Sequence, residues 1–187
     1  MGVNARMSTP RRAVFLDRDG VLNHSVVREG KPYPPTSVEE LTIVEDAPAS
    51  LARLKDHGFL LLVVTNQPDV ARGTQSLDAI QAMHRAMGEA LPLDEFLVCP
   101  HDDGDACACR KPKPGLLLQA QQHYNIDLPA SFMVGDRWRD IDAGHAAGCR
   151  TVLLDQGYQE RGPSAPPDAR VASLREAVDC ILHQEGK

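Results

Sequence analysis

The sequence predicts an α/β fold, a parallel sheet with helices on both faces. Short apolar, β-prone runs alternate along the chain with segments of helical periodicity. The acids and hydroxyls able to do chemistry fall directly after several of those runs, where open parallel sheets bind their ligands. Size agrees: 187 residues, 42% hydrophobic and 25% charged, supply one core of ordinary proportions.

The first strand is AVFL, residues 13–16, and the twelve residues before it read as a flexible N-terminal arm, leaving 13–187 as a single domain. Further strands are predicted at 60–65, 96–98, 132–134 and 151–154, with a short one near Val171. Between them, 48–57 reads as a helix stopped by Gly58, and Ser76 caps a helix carrying Leu77, Ile80, Met83, His84 and Met87 on one face. Residues 116–124 and 141–147 supply two more, the latter ended by Gly148. Ser173 and Glu176 form a capping box before Leu174, Ala177, Val178, Ile181 and Leu182, a helix expected on the sheet edge. Residues 161–170 read as a loop, and no internal repeat is present.

Composition excludes some functions. A net charge of −6 argues against a nucleic-acid partner, whose phosphates need Lys and Arg. The apolar runs are too short to span a bilayer and no basic-then-apolar leader precedes the first strand, so a cytoplasmic protein without membrane attachment is expected. A monomer is the expected state.

The polar residues at strand ends carry the functional signal. Asp17 and Asp19 follow the first strand, Thr65 and Asn66 finish the second, and Gly135, Asp136 and Asp140 follow a later one. Each alone is more often a turn former or cap than a catalytic group. Three separated segments delivering acids and a hydroxyl to one rim shift that balance.

These residues resemble the haloacid dehalogenase (HAD) superfamily of aspartate-nucleophile phosphatases. Asp17, Asp19, Gly20 and Val21 match its first motif, Thr65 the second, Lys111 the third, and Gly135, Asp136 and Asp140 the fourth. The resemblance implies a three-layer Rossmann-like sheet and hydrolysis of a phosphate monoester through an aspartyl-phosphate, which splits one hard step into two easier ones. It makes Asp17 the nucleophile and Asp19 the acid and base, and it assigns Mg²⁺ to Asp17, Asp136 and the backbone carbonyl of Asp19. Thr65 and Lys111 would bind the phosphoryl oxygens, with Asp140 supporting the metal site or Lys111. Arg18, between the two acids, is expected to point away and pair elsewhere, since alternate residues of an extended chain face opposite ways.

A second constellation runs from Cys99 to Gly115. Cys99, His101, Cys107 and Cys109 place three thiols and an imidazole within eleven positions, which fits a closed tetrahedral Zn²⁺ site better than a disulfide. Four protein ligands leave no open position, so this zinc is expected to be structural, stiffening the loop that carries Arg110 and Lys111. Cys149 and Cys180 read as core packing.

The combination of FLDRDGVLN, TNQ followed by ARG, this loop and CRKPKPG is similar to the D,D-heptose 1,7-bisphosphate phosphatases and the related histidinol-phosphate phosphatases. That likeness implies a small phosphorylated metabolite as substrate, contacted by Asn66, Gln67, Arg110 and Lys111, with Arg110 on a phosphate that is not cleaved. Forty-eight positions separate Asp17 from Thr65 and forty-six separate Thr65 from Lys111, leaving little room for a cap domain. Pro68 and Asp69 depart from the TNQSG usual in these families and add a negative charge near the entrance. A non-hydrolytic phosphoacceptor and a nucleic-acid 3′-phosphatase are the competing readings; the first would not need Asp19, and the acidic balance opposes the second. Trp138 is expected to pack beside the fourth motif, and His24, His84, His123 and His145 to be surface or helix-face residues.

Overall fold

The computed structural model describes residues 9–28 and 31–184. Its centre is a six-stranded sheet of β1 (Ala13–Leu16), β4 (Leu60–Asn66), β5 (Glu95–Cys99), β6 (Phe132–Gly135), β7 (Arg150–Leu154) and β8 (Ala169–Val171). The strand order is β5-β4-β1-β6-β7-β8, and every pairing is parallel. The helices are α1 (Ala47–Asp56), α2 (Leu77–Ala90), α3 (Gly115–Tyr124), α4 (Trp138–Ala147) and α5 (Leu174–Gln184). Each predicted strand and helix is present with small differences at the ends.

Alternation along the strands builds two cores. Val14, Leu16, Leu61, Val63 and Val134 face α1 and α5, while Ala13, Phe15, Leu62, Val64 and Met133 face α3 and α4. Both faces of the sheet are buried, which is why β1 and β4 read as continuous apolar runs. The order places β1 between β4 and β6, where the chain switches from building one half of the sheet to the other. Such switch points open a crevice beyond the strand ends.

Three expectations change. Between β1 and α1 the sequence showed no strand, yet β2 (Val26–Arg28) and β3 (Lys31–Tyr33) form a small antiparallel ribbon. Helix α4 begins at Trp138, because Asp140 turns back to accept the Arg137 backbone N–H at 3.0 Å and fixes the first turn. Helix α5 lies where expected, against the edge strand β8 and its neighbour β7, and packs its Leu174, Ala177, Val178 and Ile181 into the core shared with Leu51 and Leu54 of α1. The proposed arm lies outside the described residues as far as residue 8, whereas Arg11 already pairs with Asn125 and Asp127 through its backbone. No helix among the described residues is long and apolar enough to cross a membrane.

Candidate active site and sulfur cluster

β1, β4 and β6 deliver their polar ends to one point. Asp17 leaves β1 with its N–H on the Val134 carbonyl at 2.9 Å, so β6 sets the direction of the turn. The Lys111 ammonium reaches in from the loop after β5 and meets Asp17 Oδ1 at 2.9 Å, Asp140 Oδ1 at 2.6 Å and the Val64 carbonyl at 2.7 Å. Lys111 is 2% exposed, so this is a desolvated cation held by two carboxylates. Burial alone would favour its neutral form, but Asp140 and then Asp17 outweigh that and raise its pKa.

Asp17, Asp136 and Asp140 offer carboxylate oxygens within 4.8 Å of one another. Burial, and after it the neighbouring carboxylates, pushes Asp17 up to about 7 against the pull of Lys111, and pushes Asp136 up to about 8. Asp136 Oδ1 is buried without a hydrogen-bond partner. An orphaned oxygen beside a second acid is costly unless a cation or proton meets it. Gly20 makes this approach possible: its φ is +84°, and a Cβ there would lie 1.9 Å from Asp136 Oδ2.

The second motif is a hydrogen-bonded chain. Gln67 donates from Nε2 to both Thr65 Oγ1 at 2.8 Å and Asp19 Oδ2 at 3.0 Å. Asn66, expected at the substrate, spends its side chain on the main chain of Lys111: Oδ1 accepts the Lys111 N–H at 3.0 Å, and Nδ2 donates to the Lys111 carbonyl at 3.0 Å. Its amide therefore positions Lys111. Gln67, 4% exposed, likewise bridges two site residues. Arg18 departs further from expectation. It is fully buried and folds back onto its neighbour Asp19, with Nε and Nη2 at 3.0–3.1 Å from the carboxylate. The strand alternation that would have turned it away ends at Leu16. His84, on the apolar face of α2, is buried and stacked on Phe96 at 4.4 Å.

The loop after β5 gathers Cys99, His101, Cys107 and Cys109. Cys109 Sγ lies 3.1 Å from Cys99 Sγ, 3.5 Å from Cys107 Sγ and 3.3 Å from His101 Nδ1; Cys99 Sγ lies 3.7 Å from both Cys107 Sγ and His101 Nδ1. These separations are a little shorter than the edges of a tetrahedron of Zn–S bonds of about 2.3 Å, and the thiols form no disulfide. Burial pushes Cys99 up to about 12, whereas Cys107 falls to about 7 as hydrogen bonds from Cys109 and from the Arg110 backbone overcome its desolvation.

Arg110 follows the last cysteine. Its Nε donates to Asp103 at 2.8 Å and Nη1 to the His101 carbonyl at 3.2 Å, and Arg139 shares the same Asp103 oxygen at 3.1 Å. Arg110, Lys111, Lys113 and Arg139 line a cleft of about 110 Å³ with Asp102 and Asp103. Asp69 is not a free charge at the entrance: Arg72 pairs with it at 3.3 Å and grips Asp102 at 2.7 and 2.8 Å. A wider groove of about 650 Å³ is lined by Gly20, His24, Asp46, Gln156 and Tyr158 among others. Sequence reading missed Tyr158, whose hydroxyl interacts with Asp136. Trp138 packs between the guanidinium groups of Arg161, 3.3 Å from its ring centre, and Arg139, at 4.7 Å.

Comparison with known proteins agrees with this architecture. Residues 108–177 match the HAD-hydrolase-like family model. The D-glycero-beta-D-manno-heptose-1,7-bisphosphate 7-phosphatase of Pseudomonas aeruginosa is 38% identical over 161 residues, covering 83% of this chain and 88% of that protein. The Escherichia coli protein of the same name is 35% identical over 189 residues, covering 92% and 95%. The crystal structure of D,D-heptose 1,7-bisphosphate phosphatase from B. bronchiseptica, complexed with magnesium and phosphate, superposes with a TM-score of 0.75 at 29% identity, covering 92% of this chain and 99% of that one. The chain belongs to the HAD-like hydrolases, within their heptose-bisphosphate phosphatase family.

Proposed function

We propose that the protein removes the 7-phosphate of D-glycero-D-manno-heptose 1,7-bisphosphate through a phosphoenzyme on Asp17. One observation carries the reading: a buried Asp17–Lys111–Asp140 cluster opens beside a cleft lined by Arg110, Lys113 and Arg139. The first can handle the phosphate that reacts, the second one that stays. The relatives' names support the substrate.

In the first step the Asp17 carboxylate attacks phosphorus and the bond to the sugar oxygen breaks, with Asp19 giving its proton to the departing alkoxide. Water then attacks the same phosphorus, Asp19 takes the proton back, and the bond to Asp17 breaks to release phosphate. Lys111 and the Arg18 N–H both hold Asp17 Oδ1, the latter at 2.8 Å, so attack falls to Oδ2. Lys111 offsets the charge brought together in that approach, and Thr65 presents its hydroxyl to the phosphoryl oxygens.

Asp17, the orphaned oxygen of Asp136 and the Asp19 carbonyl would hold Mg²⁺, a hard cation suited to such oxygen ligands. Bound there, it supplies charge neutralisation and orientation for the phosphoryl group. Asp140 is engaged by Lys111 and Arg137 and serves as support. The four-ligand sulfur cluster fits a structural zinc.

Histidinol phosphate, the main alternative, would need acid groups for its cation. Asp69, Asp102 and Asp103 are already paired with Arg72, Arg110 and Arg139, which disfavours it. The test is kcat/KM for heptose 1,7-bisphosphate, histidinol phosphate and a sugar monophosphate, in wild type and Arg110→Ala. A preference for the bisphosphate of about 10-fold or more, mostly erased in the variant, is expected from losing a charge-assisted phosphate contact. A preference for histidinol phosphate, or an equal loss on all three, would reject the assignment.

A further inference from the structure

The Arg18 guanidinium is fully buried in the fold, and the structure places it against an acid one residue away. Nε donates to Asp19 Oδ1 at 3.1 Å and Nη2 to Oδ1 and Oδ2 at 3.0 Å each. The remaining nitrogen, Nη1, lies 3.3 Å from His84 Nε2. A guanidinium can only donate, so Nε2 accepts there. Burial and then the Arg18 charge push His84 down to about 4, which agrees with a neutral ring. That ring is fixed in turn by its stacking on Phe96. Asn23 and Gln67 complete the hold on Asp19, at 3.1 Å and 3.0 Å.

We infer that Arg18 is a positioning residue for Asp19, aimed by His84 from α2. The inference rests on Asp19 being the acid and base of the proposed reaction. Burying a cation this long costs more than an ordinary turn needs, because a charge without a good partner is heavily penalised inside a protein. The fork geometry suits Arg and not Lys: a planar guanidinium fixes both the position and the plane of a carboxylate, while an ammonium fixes only a distance. A carboxyl that must give and later take a proton at one atom gains from such constraint.

The experiment measures phosphoenzyme formation under single turnover with two monophosphates, an alkyl ester that needs its leaving oxygen protonated and a nitrophenyl ester that leaves as a stable anion. Asp19→Asn, Arg18→Lys and His84→Leu are compared with wild type. If Arg18 acts through Asp19, Arg18→Lys loses at least about 30-fold more rate on the alkyl ester than on the aryl ester, within the range general acids supply. His84→Leu shows the same selectivity at about 5-fold and stands in if Arg18→Lys does not fold. Equal losses on both esters in these two variants, with Asp19→Asn still selective, would overturn the inference and leave Arg18 a structural cation. If Asp19→Asn itself shows no selectivity, the acid role of Asp19 fails first and the inference falls with it.

Discussion

Asp17, Asp136 and Asp140 come from two strand ends far apart in the chain and meet only because β1 and β6 are neighbours. Cys99, His101, Cys107 and Cys109 fall within eleven positions of one loop and need no distant partner. The oxygen cluster has two buried acids and a buried lysine set against it, while in the sulfur cluster only Cys99 is buried, and Asp102, Asp103 and Asp105 lie in the same segment. Burial and the neighbouring carboxylates raise Asp17 and Asp136 toward neutrality, which is costly for the fold and useful for chemistry. The second set gathers four groups able to ligate one ion in a loop of small and acidic residues.

The comparison predicts that damage to the two clusters will separate cleanly. The largest effect belongs to Asp17→Asn: phosphatase activity should fall by about 10⁴-fold or more, as for other nucleophile deletions, while the melting temperature does not drop. Steady-state rates near wild type would break the oxygen half of the account. For the sulfur half, elemental analysis should find one zinc per chain. Cys107→Ser, or exposure of wild type to a strong chelator, should lower the melting temperature by roughly 5–10 °C, corresponding to about 2–4 kcal/mol for a chain of this size. A chain without zinc and indifferent to both treatments would remove the structural role.

A smaller effect sharpens the contrast through pH. The folded-state values of Asp17 and Asp136, about 7 and 8, lie above the ordinary carboxylate value of 3.8. The folded state therefore keeps protons that the unfolded chain has released, so the contribution of these groups is fully present below pH 4 and is lost as pH rises through 7 and 8. Without Mg²⁺, Asp136→Asn should melt above wild type by a few degrees at pH 9 and by less at pH 5. Added Mg²⁺ should close that gap by stabilising wild type alone. A gap that does not change with pH would deny that burial shifts these acids.

What the sequence revealed follows the same division. The sulfur cluster was legible from spacing alone, because its ligands are local. The carboxylates were legible because each follows an apolar run, and parallel topology sends such ends to one rim. The β2–β3 ribbon was not, since three residues per strand, one of them Pro32, give no period to read. Arg18 was misjudged because alternation was extended past Leu16 into a turn where Gly20 has left-handed dihedrals. His84 left a signal: it shares its helix face with Ile80, Met83 and Met87, all of them buried. The role of Asn66 could not be read, since its partner is the main chain of a loop 45 residues away.

The most direct test of the account is to find the phosphate on its nucleophile. Enzyme mixed with a phosphomonoester substrate and Mg²⁺ is quenched in acid during the first turnover, reduced with borohydride and mapped by peptide mass spectrometry. An acyl phosphate on Asp17 is converted by this treatment to homoserine at position 17, and that residue should carry the modification in wild type and lose it in Asp17→Asn. Modification at Asp19, Asp136 or Asp140 instead, or none during measurable turnover, would contradict the assignment of Asp17 as the nucleophile.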